Sequence, residues 1–173
     1  LKIYDENSEF LPYDFYSENK LITEDRLLYN FGNKITILRG SNIFGYEYGR
    51  NSFLGFCMNQ LVDTGIIKYV VSEKIKRDFL FVEDAAYIIE KVCEEKPIGV
   101  YNLSSNYGLE IGSIARSLID GYSYGGKFES DNTKLDRQFI LDNSKLKNCL
   151  KMNIGPFDYT KIFKNLGEQL CKI

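Results

Sequence analysis

The 173-residue chain has no histidine. Without imidazole there is no His-based triad, no zincin or zinc deaminase motif and little zinc catalysis of any kind. Its four cysteines, Cys57, Cys93, Cys149 and Cys171, show no C-x-x-C spacing, and no metal is expected. Each adjoins apolar residues such as Phe56, Val92 or Leu150, so the expectation is buried free thiols in a reducing cytoplasm. No run approaches the roughly 18 apolar residues of a membrane span, and no basic segment leads into an apolar one at the start. Neither a span nor a signal peptide is expected. There is no block of like charge either: 22 basic and 24 acidic residues leave a net charge of -2, without the footprint of a nucleic-acid or anionic-membrane binder.

What is present describes an ordinary globular protein, 44% apolar and 27% charged, of a length that suits one domain or a domain plus a lobe. The 13 Tyr and 12 Phe are scattered through apolar patterns, as core and pocket lining are. Residues 1–4 read as extended and 5–12 as a polar loop. From about Tyr13 to Phe31, the apolar residues Leu21, Leu27, Leu28 and Phe31 recur at helical spacing until Gly32, and Ile35 to Leu38 is a buried-strand run. Arg39 to Arg50 reads as a glycine-rich loop, Ser52 to Asp63 as a helix, and 66–71 and 78–82 as strands. Glu83 to Glu95 is an amphipathic helix with buried stripe Ala85, Ile88, Ile89 and Val92. A strand at 100–103, a helix at 109–120, a strand at 138–141, a helix capped by Asp142 or Asn143, and a final helix from Pro156 complete the pattern.

Strands alternating with helices indicate α/β architecture. The chain is too short for a complete doubly wound domain plus a substrate lobe. It begins with Leu rather than Met, so a piece of a longer chain is expected.

Tyr16 and Lys20 stand four apart, on one face of the first predicted helix. A free phenol ionises near pH 10, and a neighbouring ammonium favours the ionised form; a general base at neutral pH needs about three units of lowering, roughly 4 kcal/mol of differential interaction. Such a phenol exchanges protons with a substrate hydroxyl. Spacing alone is weak evidence. Thirteen Tyr and sixteen Lys in this chain give about one such pair by chance, and two occur. The second, Tyr87 and Lys91, lies beside an apolar stripe and reads as structural.

Arg39-Gly40-Ser41-Asn42-Ile43-Phe44-Gly45 follows a buried strand directly, at the carboxyl end where open α/β sheets bind ligands. Binding loop and structural turn are equally compatible with it. Arg77 precedes a strand and suits a diphosphate clamp or a surface ion pair, and Arg137 carries the same alternatives.

Taken in order, Y-x-x-x-K-L-x-x-E at 16–24, R-x-x-N-x-F-G at 39–45, R-D-F-x-x-V-x-D at 77–84 and Tyr101-Asn102-Leu103-Ser104 resemble the second half of the extended short-chain dehydrogenase/reductases. More narrowly they are similar to the NAD-dependent epimerase/dehydratase group acting on nucleotide sugars. The resemblance implies the C-terminal part of a Rossmann-like doubly wound fold plus a small α/β substrate-binding lobe, without the N-terminal dinucleotide-binding half. Residues 1–45 would end the Rossmann-like domain. Residues 46–173 would form mainly the lobe, with returning Rossmann segments around 77–104.

It also implies roles. Tyr16 would be the general acid/base and Lys20 would bind the nicotinamide ribose of NAD or NADP. Ser41 and Ile43 would lie near the nicotinamide, while Asn42, Arg77 and Arg137 would contact the nucleotide-sugar substrate. A homodimer is implied through the first helix, and a cytoplasmic location is expected. The family's glycine-rich turn and its catalytic Ser or Thr are absent, and Tyr46 replaces a common Pro. The isolated chain is therefore expected to be inactive, and a non-catalytic nucleotide-sugar-binding or regulatory module is the alternative.

Overall fold

The computed structural model describes residues 2–9, 11–131, 138–155 and 157–172. A short strand, β1 (Lys2–Tyr4), precedes helix α1 (Phe15–Phe31), which closes in a 3-10 turn at Gly32–Lys34. Strand β2 (Thr36–Gly40) then runs on into β3 (Asn42–Phe44), followed by α2 (Phe53–Thr64), β4 (Ile66–Tyr69), β5 (Lys76–Phe81) and α3 (Val82–Glu95). The remainder is β6 (Gly99–Leu103), β7 (Gly108–Glu110), α4 (Ile111–Gly121), β8 (Lys127–Ser130), β9 (Phe139–Leu141), α5 (Ser144–Leu150) and α6 (Thr160–Leu170).

Pairing is parallel nearly throughout, as helical crossovers require. Strands β1, β9, β5 and β3 lie side by side in that order, and β7 joins β5 as an antiparallel edge. Two parallel pairs stand apart: β2 with β6, Ile37 opposite Val100, and β4 with β8. The α/β class expected from the sequence is the architecture found.

Two apolar cores flank β5, because successive side chains of a strand face opposite ways. Phe79 joins the larger core, with Phe44, Met58, Leu61, Leu118, Phe163 and Leu170 among its members. Leu80 joins the smaller, with Ala85, Ile88, Tyr101 and Leu146. In the larger core α4 and α6 cross at backbone contact. A Cβ on Gly121 would meet the Lys164 carbonyl oxygen at 1.9 Å, and one on Gly167 the Leu118 carbonyl oxygen at 2.1 Å. No helix among the described residues is long and apolar enough to cross a membrane.

Several expectations need correction. Only Cys57 is buried, where burial pushes its thiol up to about 12; Cys93 and Cys149 are exposed and Cys171 half-buried. Apolar sequence neighbours do not set which face a helical side chain occupies. Ile89 is 39% exposed, outside the Ala85, Ile88 and Val92 stripe of α3. The loop from Arg39 contains strand β3, the helix expected from 109 begins at Ile111 after β7, and the last helix begins at Thr160 rather than Pro156. Three-residue strands lack the length for a periodic signal.

Candidate functional site

Helix α1 starts where its cap dictates. The Asp14 carboxylate accepts the Ser17 N–H at 2.7 Å while the Asp14 N–H donates to Ser17 Oγ at 3.3 Å, a reciprocal capping box. Tyr16 is therefore in the first turn, where the helix dipole favours negative charge. Lys20 Nζ stands 5.4 Å from the Tyr16 ring centroid, and both side chains are exposed. The pair at Tyr87 and Lys91 has nearly the same local geometry, at 5.7 Å, with Lys91 bonded to Glu94. Local geometry does not separate the two pairs; their surroundings do.

A short turn joins α1 to β2, so helix and strand run antiparallel. Glu24 lies seven residues before the end of the helix and Arg39 three residues into the strand, each about 10 Å from the turn, and they meet in a two-pronged ion pair. Tyr16 is eight residues beyond Glu24, about 12 Å further along the axis. That direction leads to the carboxyl ends of β2 and β6, the ligand-binding end of an open α/β sheet.

At that end the Ser41 N–H donates to the Leu103 carbonyl at 3.0 Å. Ser41 Oγ is buried beside the Asp78 carboxylate, whose pKa its hydroxyl helps to hold down. One residue on, the Asn42 amide donates to the Asp78 carbonyl at 2.7 Å, next to Arg77 on the adjacent strand, while Ile43 is 41% exposed. Asn42 is in register with Phe79 on β5, two residues from Arg77, which stands opposite Leu109 and Phe139. Tyr16 and Lys20 are on a separate element, α1, and Arg137 lies outside the described residues. Tyr46 is 43% exposed two residues past Phe44. Two small clefts among the described residues lie elsewhere: about 190 Å³ between Asp84, Ile88, Met152 and Phe157, and about 280 Å³ between Tyr69, Val70, Glu129 and Asp131.

Sequence reasoning missed Asp78. Its side chain is fully buried and accepts the Ser105 N–H at 3.0 Å, the Ser105 hydroxyl at 2.8 Å and the Leu141 N–H at 3.2 Å. Burial raises its pKa, and the bonds from Ser105, Leu141 and the Ser41 hydroxyl oppose the rise. Asn102 extends the same junction, its amide donating to the Tyr4 and Asp142 carbonyls. Polar residues inside apolar strand runs, R-D-F and Y-N-L-S, were the available signal.

No family model matches the sequence, and no curated protein matches it significantly. Solved structures share its fold. RMD from Pseudomonas aeruginosa, complexed with NADPH, superposes with a TM-score of 0.81 at 16% identity, over 99% of this chain and 61% of that one. The dTDP-glucose 4,6-dehydratase from Bacillus anthracis, in complex with NAD, gives 0.78 at 18% identity over 99% and 57%. The UDP-N-acetylglucosamine 4-epimerase from Bacillus cereus gives 0.74 at 19% identity over 96% and 58%. The chain spans about three-fifths of the length of these neighbours, and over that span it has the parallel-stranded α/β fold of nucleotide-sugar epimerases and dehydratases.

Proposed function

We propose that the chain is the C-terminal portion of a nucleotide-sugar epimerase, dehydratase or reductase that uses NAD or NADP for hydride transfer, with Tyr16 as general acid/base. One observation supports the reading: Tyr16 and Lys20, with the ammonium 5.4 Å from the phenol ring centroid on α1, occur in a fold common to proteins solved with NADPH and NAD. A bound nicotinamide supplies a hydride acceptor and donor. The residues present fit it. Ser41 would offer a buried hydroxyl, Lys20 an exposed ammonium for the ribose, and Ile43 an exposed apolar side chain for the nicotinamide to rest on.

Tyr16 takes the proton of a sugar hydroxyl as the hydride leaves the same carbon, and returns it when the hydride returns. Lys20 places positive charge near the ring when the phenol is ionised. Asn42 keeps a carbonyl oxygen and a second N–H after its bond to Asp78, and with Arg77 it addresses the diphosphate. Residues 1–45 close the nucleotide-binding part, and residues 46–173 form mainly the substrate lobe. A preceding half supplies the glycine turn, the protein pairs as a homodimer through the outer face of α1, and its four free cysteines suit a reducing cytoplasm.

The test is turnover of nucleotide sugars by the full-length protein with NAD or NADP. Tyr16→Phe is expected to lower kcat by about 100-fold or more while nucleotide-sugar affinity holds. Unchanged activity overturns the catalytic role in favour of a non-catalytic sugar-nucleotide-binding or regulatory module. Calorimetry on residues 1–173 alone is expected to show no micromolar NAD affinity, since no helix N-terminus with a glycine turn is available for the pyrophosphate.

A further inference from the structure

We propose that Glu24 and Arg39 are positioning residues for Tyr16 and Lys20: their ion pair sets the height and tilt of α1 over β2, and so where the two side chains stand relative to Ser41, Asn42 and Ile43. What the pair does chemically rests on the function proposed above. The tether does not.

Helix α1 is 17 residues long and buries none of them. Its inner face is a half-buried stripe of Ser17, Leu21, Glu24 and Leu28, spaced four, three and four apart. Tyr16 and Lys20 each directly precede a member of that stripe. Contact through two leucines is non-directional, so it holds the helix down without fixing its rotation or its position along the strand.

Arg39 supplies the direction. Its Nε donates to Glu24 Oε2 at 3.1 Å and its Nη2 to Glu24 Oε1 at 2.5 Å, the planar fork that a guanidinium makes with a carboxylate. Its Nη1 donates to the Glu6 carbonyl at 2.9 Å, and the Glu6 carboxylate accepts the Asn102 N–H at 2.8 Å. One guanidinium therefore ties together α1, β2, the segment after β1 and, through Glu6, β6. The two side chains are 20% and 14% exposed, so solvent weakens this pair less than a surface pair. A helix is stiff over two turns, so displacement at Glu24 is carried to Tyr16. A slip of one strand residue is about 3.3 Å. Misplacement of about 1 Å already costs catalysis heavily.

The test uses amide hydrogen exchange and backbone residual dipolar couplings of the 173-residue chain and three variants, Glu24→Gln, Glu24→Asp and Arg39→Lys. Glu24→Gln is expected to speed exchange of residues 19–31 at least tenfold, to leave α4 and α6 unchanged, and to make α1 couplings incompatible with the native orientation over β2 and β6. Glu24→Asp and Arg39→Lys keep both charges but lose the fork. They are expected to recover part of the protection without recovering the orientation. Exchange within twofold of the parent in Glu24→Gln, or native orientation in the charge-keeping variants, overturns the proposal. Neither readout needs turnover, so failure here leaves the hydride-transfer reading standing, and an active Tyr16→Phe enzyme defeats that reading without touching the tether.

Discussion

Helices α1 and α6 are held in opposite ways. Helix α6 buries Phe163, Leu166, Gly167 and Leu170, and it meets α4 where two glycines let the backbones touch. Helix α1 buries nothing and leaves Phe15, Ile22 and Tyr29 facing outward, each more than a third exposed. The lobe is closed by packing, whereas the helix with the proposed acid/base is closed by a cap and an ion pair. Stability and chemistry are therefore carried by different elements, and substitutions in the two regions have different consequences.

The largest effect belongs to the closed side. Gly167→Val puts a β-branched side chain where even a Cβ would lie 2.1 Å from the Leu118 carbonyl oxygen, so α6 must leave α4. The expected loss is above about 4 kcal/mol, enough to abolish cooperative unfolding of the lobe by calorimetry. A variant that melts within a few degrees of the parent breaks the contrast between the two helices at its stronger end.

Asp78 sits between the two regions and gives an intermediate effect. Its folded pKa is raised above the ordinary 3.8, so the native state holds the proton more tightly than the unfolded chain. Stability through this group therefore grows as pH falls from neutral through the raised folded pKa, and the gain is complete below 3.8. Asp78→Asn removes that slope. At pH 7 it also turns an amide donor toward the Leu141 or Ser105 donors, at a cost of about 1–3 kcal/mol. Urea midpoints measured between pH 7 and 4 should therefore diverge, the parent gaining on the variant as the pH falls. Midpoints that move in parallel with the parent would show that the carboxyl does not titrate differently in the folded state.

Much of this arrangement was legible before any coordinates. The apolar run Ile35 to Leu38, the amphipathic stripe of α3 and the Gly32 stop of α1 carry their own periodicity, and those elements stand where they were expected. Strands β3, β7 and β8 did not announce themselves, because three or four residues are too few to alternate and their places come from long-range pairing with β5 and β4. In the site, Tyr16, Lys20 and Asn42 were nameable from motif order. Asp78 and the pairing of Glu24 with Arg39 were not, since a buried acid and a surface acid read alike in sequence. Motif letters recorded both without their contacts.

The smallest effect on folding tests the open side. Phe15, Ile22 and Tyr29 recur every seven residues, on the same outward stripe of α1, and are 80%, 41% and 90% exposed. Ile22 lies on the exposed side of α1, so replacing it by Asp should shift monomer stability by no more than about 0.5 kcal/mol. If the proposed homodimer uses this face, the same change places a charge in a desolvated interface and should weaken self-association at least tenfold by sedimentation equilibrium. The two readouts separate the possible roles of the stripe. A destabilised monomer would mean that α1 packs against the lobe more than its exposure indicates. An unchanged association constant would remove the outer face of α1 from the interface, leaving α1 as a helix whose inner face alone has work to do, held there by Glu24 and Arg39.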